Sequence, residues 1–218
     1  GIHRQVRPYG QTAIIANITS SQGHDGVAYE RFTPNGPLAL LPMSAGRSAL
    51  VWTQPDAQVD EVMTLSDAAF LEALQDAFGF RMGALTRVGQ RHAYPLSLIE
   101  AEEQVRTGLV VLGNAAHSLH PIAGQGFNLS LRDAMALADT LIDAPAHGAP
   151  GDLRLLEGYL DRQRRDQQQT IAFSDGLTRL FSNRRPVLAA GRNLGLLGMD
   201  IVAPLKSVFA RQAMGLKG

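Results

Sequence analysis

The residues of this chain best placed to do chemistry are small and polar rather than ionisable. Gly113, Asn114, Ala115 and Ala116 follow the apolar run 109–112. A Pro/Gly-rich stretch with Pro121, Gly124, Gln125, Gly126, Phe127 and Asn128 then opens a helix. Glycine and small residues let main-chain amides approach a ligand closely. A helix N-terminus adds unpaired N–H groups and the positive end of the helix dipole. The bland alternatives are a turn-forming Asn after a strand and a helix start with no ligand.

Other chemistries find less support. His117 and His120 are three apart, which suits one helix face, but zinc needs a third or fourth ligand and no neighbouring Cys, Asp or Glu completes a set. They are expected to be packing histidines, with no metal. Arg162, Arg164 and Arg165 could be read as a phosphate site, but with Asp161 and Asp166 beside them a solvated helix face is the better reading. There are no cysteines, so neither a disulfide framework nor a thiolate nucleophile is possible. Formal net charge is zero, so no basic excess points to nucleic acid. No G-x-G-x-x-G turn is found; Gly191, Gly195 and Gly198 have the wrong spacing and follow no strand.

The elements that must hold these residues fall into two parts, expected at 1–100 and 101–218. The first reads as short strands and tight turns: 11–18, 27–33, 38–43, 48–53 and 91–99, with turns at 23–26 and 34–37 and a break at Ser44-Ala45-Gly46. That is the pattern of an antiparallel sheet. A helix is expected after the N-cap Ser66, with Ala69, Phe70, Ala73, Leu74 and Ala77 on one face, ending at Gly79. The second part reads as a buried strand over 109–112 and a helix over 125–142. Phe127, Leu131, Ala134, Ala138 and Leu141 give this helix its apolar face, opposite Arg132, Asp139 and Asp143. Asp152 would cap a long helix over 153–181, and Pro186 starts a last helical region.

The run from Gly113 to Asn128 resembles the second flavin-binding motif of the group A flavoprotein monooxygenases, with Gly113-Asn114 where that motif usually reads Gly-Asp. The segment 30–42, Glu-Arg-Phe-Thr-Pro-Asn-Gly-Pro-Leu-Ala-Leu-Leu-Pro, resembles the middle-domain hairpin of the ubiquinone-biosynthesis hydroxylases. Leu112 to Arg132, with Pro204-Leu205-Lys206 and Ala213-Met214-Gly215, is most similar to their 2-octaprenyl-6-methoxyphenol hydroxylase branch. The resemblance implies an α+β/α/β, p-hydroxybenzoate-hydroxylase-like fold. An antiparallel substrate-domain sheet would be joined to the C-terminal part of an FAD-binding domain and C-terminal helices. Without a pyrophosphate-binding turn, the chain reads as the C-terminal piece of a longer protein.

The resemblance also implies roles. Gly113, Asn114, Ala115, Pro121, Gly124, Gln125, Gly126, Phe127 and Asn128 would bind FAD. Asn114 would contact a ribityl hydroxyl, the amides of 124–128 would face the pyrimidine carbonyls, and Pro121 would lie near the ring. The parent would hydroxylate a polyprenyl phenol, with NAD(P)H as reductant and a flavin C4a-hydroperoxide as oxygen donor. Leu38, Leu40 and Trp52 are candidates for the substrate wall and equally for ordinary core. Expected partners are a lipophilic phenol and a ubiquinone-biosynthesis complex. The expected location is cytoplasmic, with peripheral contact at the inner face of the membrane through 187–209. The chain alone would bind FAD poorly, be inactive and self-associate. Two other readings stay open: another flavin hydroxylase of the same pathway, and a non-catalytic interaction module.

Overall fold

The computed structural model describes residues 1–144 and 149–181. The segments at 187–209, 204–206 and 213–215 and the glycines at 191, 195 and 198 lie outside the described residues. Two compact units divide the chain. The sheet unit holds 8–96, and the helical unit holds 1–7 and 97–178.

In the sheet unit, β1 (Arg4–Ser20) continues in from the other unit, and β2 (Tyr29–Thr33), β3 (Gly36–Pro42) and β4 (Arg47–Pro55) follow. They pair antiparallel in the order β2-β3-β4-β1, and β5 (Leu85–Val88) pairs with the end of β1. The β2–β3 hairpin closes over Pro34 and Asn35, with Thr33 opposite Gly36. Asn35 Nδ2 donates to Gln54 Oε1 and Gln58 Oε1 at 2.8 and 3.0 Å. Gly36 has φ +130°, and a Cβ there would lie 2.7 Å from Thr53 Cγ2, so position 36 accepts no side chain.

Alternation along the strands puts Ile14, Ala16 and Ile18, Leu38 and Leu40, and Leu50 and Trp52 on one face. Helix α2 (Asp67–Phe78) covers that face with Phe70, Leu74 and Phe78. Ser66 caps the helix by accepting from Ala69 N, and Gly79 ends it at φ 85°. Trp52 and Phe70 meet edge to face at 5.5 Å, and the Arg91 guanidinium lies 4.8 Å from the Phe70 ring centre. Leu38, Leu40 and Trp52 are therefore neighbours on two adjacent strands, β3 and β4, in this core. Helix α1 (Asp56–Thr64) was not foreseen: Val59 is buried, Val62 and Met63 pack half-buried against the core, and no side chain caps it.

The helical unit begins with the end of β6 (His92–Ala101), where Glu100 pairs with the Arg7 guanidinium. The expected buried strand at 109–112 is corrected. Its regular part is β8 (Leu109–Val110), which turns back on β7 (Val105–Arg106) in a two-stranded sheet. Gly108 (φ +73°) makes that reversal, its N–H donating to Gly151 O at 2.9 Å. Leu109 is exposed. A short β9 (His117–Ser118) pairs with Ile99 and Glu100 of β6.

Helix α3 (Gln125–Ile142) has the expected bounds but the opposite orientation. Leu129, Asp133, Ala136, Leu137 and Thr140 form its inner stripe. The expected apolar face points outward: Phe127 is 76% exposed, Leu131 51% and Leu141 39%, Ala134 and Ala138 are exposed as well, and Met135 and Ile142 lie exposed beside them. The inner side meets polar residues of α4 (Leu153–Phe181), which Asp152 Oδ1 caps by accepting from Arg154 N and Leu155 N. Arg132 Nε donates to Asp166 Oδ2 at 2.6 Å, and Arg162 donates to Thr140 Oγ1 at 2.9 Å. Asp166 is thus buried against Arg132 and lies off the solvated face expected for 161–166, which Arg164 and Asp161 do occupy. Among the described residues no helix is long and apolar enough to cross a membrane.

Candidate functional site

The extended backbone at Leu112 turns at Gly113 (φ +61°) into a 3₁₀ turn, Gly113–Ala115, which the Ala116 N–H closes by donating to Gly113 O. This turn packs against α3. A Cβ at Gly113 would sit 3.6 Å from Ser130 Oγ, and that hydroxyl donates to Gly126 O at 2.8 Å. The side chains of Asn114 and Ala115 are exposed. A second 3₁₀ turn, Ile122–Gly124, follows the exposed Pro121 and is anchored by the fully buried Ile122.

Gly124 then starts α3 in the left-handed region, at φ 62°, with no side-chain cap. The contrast with α2 and α4 is chemical: Ser66 and Asp152 accept from amides in the first turn of those helices, whereas the N-cap of α3 is a glycine with no side chain to accept, and the Gln125 N–H donates to Ile122 O. Among the described residues, a Cβ at Gly124 would meet nothing within 4 Å, and one at Gly126 would meet only Leu119 Cβ, at 3.9 Å. Gln125 is buried, Asn128 half-buried and Phe127 exposed. The structure thus gathers Gly113, Asn114, Ala115 and Gly124–Asn128 on one unit, whereas Leu38, Leu40 and Trp52 belong to the core of the other.

Behind this surface lies a buried polar relay that sequence reasoning missed. His117 Nε2 is 2.7 Å from Asp133 Oδ2, and both side chains are fully buried. The same oxygen accepts from Gln167 Nε2 at 3.1 Å, and Gln167 exchanges amide hydrogen bonds with Gln104 at 3.1 Å each way. His117 therefore has a packing role with a defined partner. That partner lies 16 residues away in sequence, and its only signal was a carboxylate on the stripe that Leu129 and Leu137 share. Among the described residues no three His, Asp, Glu or Cys side chains gather to hold a metal. Burial pushes the His120 imidazole down to about 4. Burial first, and the Asp133 charge second, push the Tyr159 phenol up.

A family model described as an FAD binding domain matches residues 4–174. The chain belongs to this family. It is 41% identical to ubiquinone hydroxylase UbiL of Rhodospirillum rubrum, over 99% of this chain and 50% of that protein. It is 32% identical to 3-demethoxyubiquinol 3-hydroxylase of Escherichia coli, over 99% of this chain and 55% of that protein. The chain thus spans about half the length of the curated relatives it matches. Among solved structures, p-nitrophenol 4-monooxygenase PnpA of Pseudomonas putida superposes with a TM-score of 0.75 at 18% identity, over 100% of this chain and 56% of that one. The probable FAD-dependent monooxygenase pqsL of Pseudomonas aeruginosa gives 0.65 at 23% identity, over 86% and 52%. The fold is that of FAD-dependent monooxygenases, with an antiparallel sheet and helices in a mixed α/β arrangement.

The residues present fit a flavin. The uncapped α3 amides and the space over Gly124 and Gly126 suit a ligand edge that carries carbonyl oxygens. The exposed Asn114 amide suits a hydroxyl-bearing chain, since it can both accept and donate.

Proposed function

We propose that this chain is part of an FAD-dependent aromatic hydroxylase that acts on a polyprenyl phenol in ubiquinone biosynthesis. The observation that carries the reading is the N-terminus of α3, with Gly124 as its N-cap and Gly126 in its first turn, beside the Asn114 turn, in a member of an FAD-binding family. The 41% identity to a ubiquinone hydroxylase supports the substrate class. When bound, FAD supplies the redox chemistry, taking electrons from NAD(P)H and activating O₂ for transfer of one oxygen atom to the ring. The chain's own work is placement. Asn114 holds a ribityl hydroxyl through its amide oxygen. The N–H groups of Gly126, Phe127 and Asn128 face the pyrimidine carbonyls, where a helix N-terminus favours negative charge. Pro121 shapes the surface near the ring and moves no proton. A polyprenyl substrate is drawn from a membrane or a lipid-carrying partner, which makes peripheral membrane contact part of this reading.

The test uses the full-length protein that carries this chain. Gly126→Val should weaken FAD at least tenfold; a Cβ there lies in ordinary contact with Leu119 at 3.9 Å, and thermal melting checks that the variant is folded. Unchanged flavin content and affinity in folded G126V would sink the placement. Asn114→Asp should retain flavin, because a carboxylate still accepts from a hydroxyl; complete loss from a folded protein would show that the amide donor is needed. The 218-residue chain by itself should bind FAD more weakly than roughly micromolar.

A further inference from the structure

We infer that the buried His117–Asp133 hydrogen bond is a positioning strut, which fixes the spacing between the Asn114 turn and the N-terminus of α3 so that both can meet one flavin. The inference rests on the proposed flavin placement.

The geometry leads there in three steps. Gln167 Nε2 can only donate, so Asp133 Oδ2 is an acceptor, and His117 Nε2, 2.7 Å from the same oxygen, carries the proton. The imidazole is thus held in one tautomer and one orientation. Next, His117 ends the turn that presents Asn114. Ala116 N–H closes that turn on Gly113 O, Ala116 O accepts from Ala101 N at 2.7 Å, and His117 ties its far end to α3. Finally, Asp133 lies two helical turns beyond Gly126, on the inner stripe of α3; Gln167 of α4 holds its carboxylate, and Gln104, the residue before β7, holds Gln167. One oxygen atom therefore links both ligand-facing edges to the rest of the unit. No member of the relay reaches the exposed surface of the site, so His117 and Asp133 act through Asn114 and the α3 amides.

A purely structural pair would stabilise the fold and do nothing more, so the test separates stability from flavin affinity in the full-length protein. Asp133→Asn keeps an acceptor oxygen in place and should hold FAD affinity within about threefold of the parent protein. Asp133→Leu leaves His117 Nε2–H and Gln167 Nε2–H facing an apolar side chain; it should lower the apoprotein melting temperature and weaken FAD at least tenfold. His117→Leu with Asp133→Leu removes both members of the pair and leaves a single unpaired N–H on Gln167, which keeps its pairing with Gln104. Replacing a buried polar pair by apolar residues is often close to neutral for stability. The double variant should therefore recover much of the melting temperature while FAD stays at least tenfold weaker.

If stability and FAD affinity recover together, the pair serves the fold alone and the inference is overturned. Should the Leu variants not fold, amide hydrogen exchange on the unsubstituted protein decides: FAD binding should slow exchange in 113–117 and 129–133 together, and slowing confined to 113–117 overturns the strut. Gly126→Val, run alongside, keeps the two questions apart. FAD loss in G126V without loss in the double variant refutes the strut and leaves the flavin placement standing. Unchanged affinity in both refutes the placement itself.

Discussion

Helices α2 and α3 answer the same sequence pattern in opposite ways. Both carry an apolar stripe at helical spacing. In α2 that stripe, Phe70, Leu74 and Phe78, is packed against the sheet, and a Ser cap and a Gly stop set its ends. In α3 the apolar stripe faces outward, the inner stripe carries Asp133 and Thr140, and the N-terminus begins at an uncapped glycine. Periodicity identifies an apolar stripe but not the neighbour that covers it. The sheet unit supplies that neighbour for α2 from within itself. The inner side of α3 packs Ala136 and Leu137 against a small cluster of Val105, Leu156 and Tyr159, and it also meets Asp166, Gln167 and Thr170, so polar partners share the work with apolar area.

The contrast predicts different failures. In the sheet unit the largest effect should follow Phe70→Ala, which empties a fully buried site under Trp52 and Arg91 and should cost about 3–5 kcal/mol. Urea denaturation measures it, and a loss under about 1 kcal/mol would show that the core does not centre on α2.

The helical unit should instead reveal its buried polar groups through pH. His120 is held neutral by burial, its pKa lowered from 6.5 to about 4. Between those values the unfolded chain takes up a proton that the folded chain refuses, so stability falls as pH drops through that window and levels off below it. The full effect approaches about 3 kcal/mol. His120→Gln should flatten this part of the stability–pH curve. An unchanged acid slope in the variant would assign the loss to other groups.

Against these two units the limits of sequence reading become physical. The β3 and β4 strands, the Pro34-Asn35 turn, the Ser66 and Asp152 caps and the bounds of α3 were legible, because each is set by local chemistry: alternation, turn residues, capping oxygens. Helix α1 was not: its apolar stripe is only Val59, Val62 and Met63, a single turn, and no side chain caps its start. The run 109–112 looked like a buried strand because it is continuously apolar, but Gly108 folds it back as a hairpin edge. In the candidate site the glycines and Asn114 were visible from their spacing. The His117–Asp133–Gln167–Gln104 relay was hidden, because its members come from four separate segments and meet only through tertiary packing.

The helix caps sharpen the comparison on a smaller scale. Ser66→Ala should cost roughly 0.5–1 kcal/mol, because the Ala69 N–H loses its side-chain acceptor. A change within error would mean that the 3.3 Å bond at this cap contributes little, and that packing of Phe70 and Leu74 holds α2 without it.

The smallest effect on stability, and the most direct test of the outward stripe, belongs to Leu131 and Met135. Both are more than half exposed on the outer face of α3. Serine at both positions should therefore change folding free energy by less than about 0.5 kcal/mol. Association should respond differently. A row of exposed Phe, Leu, Met and Ile on one helix is a contiguous apolar strip, and a formal net charge of zero offers no long-range repulsion between copies. The chain by itself should self-associate in sedimentation velocity, and Leu131→Ser with Met135→Ser should shift it toward monomer at unchanged melting temperature. A chain that is monomeric without the substitutions would mean that the strip is too narrow to drive association. A double variant that loses stability would mean that the strip is covered in solution, and the contrast with α2 would disappear.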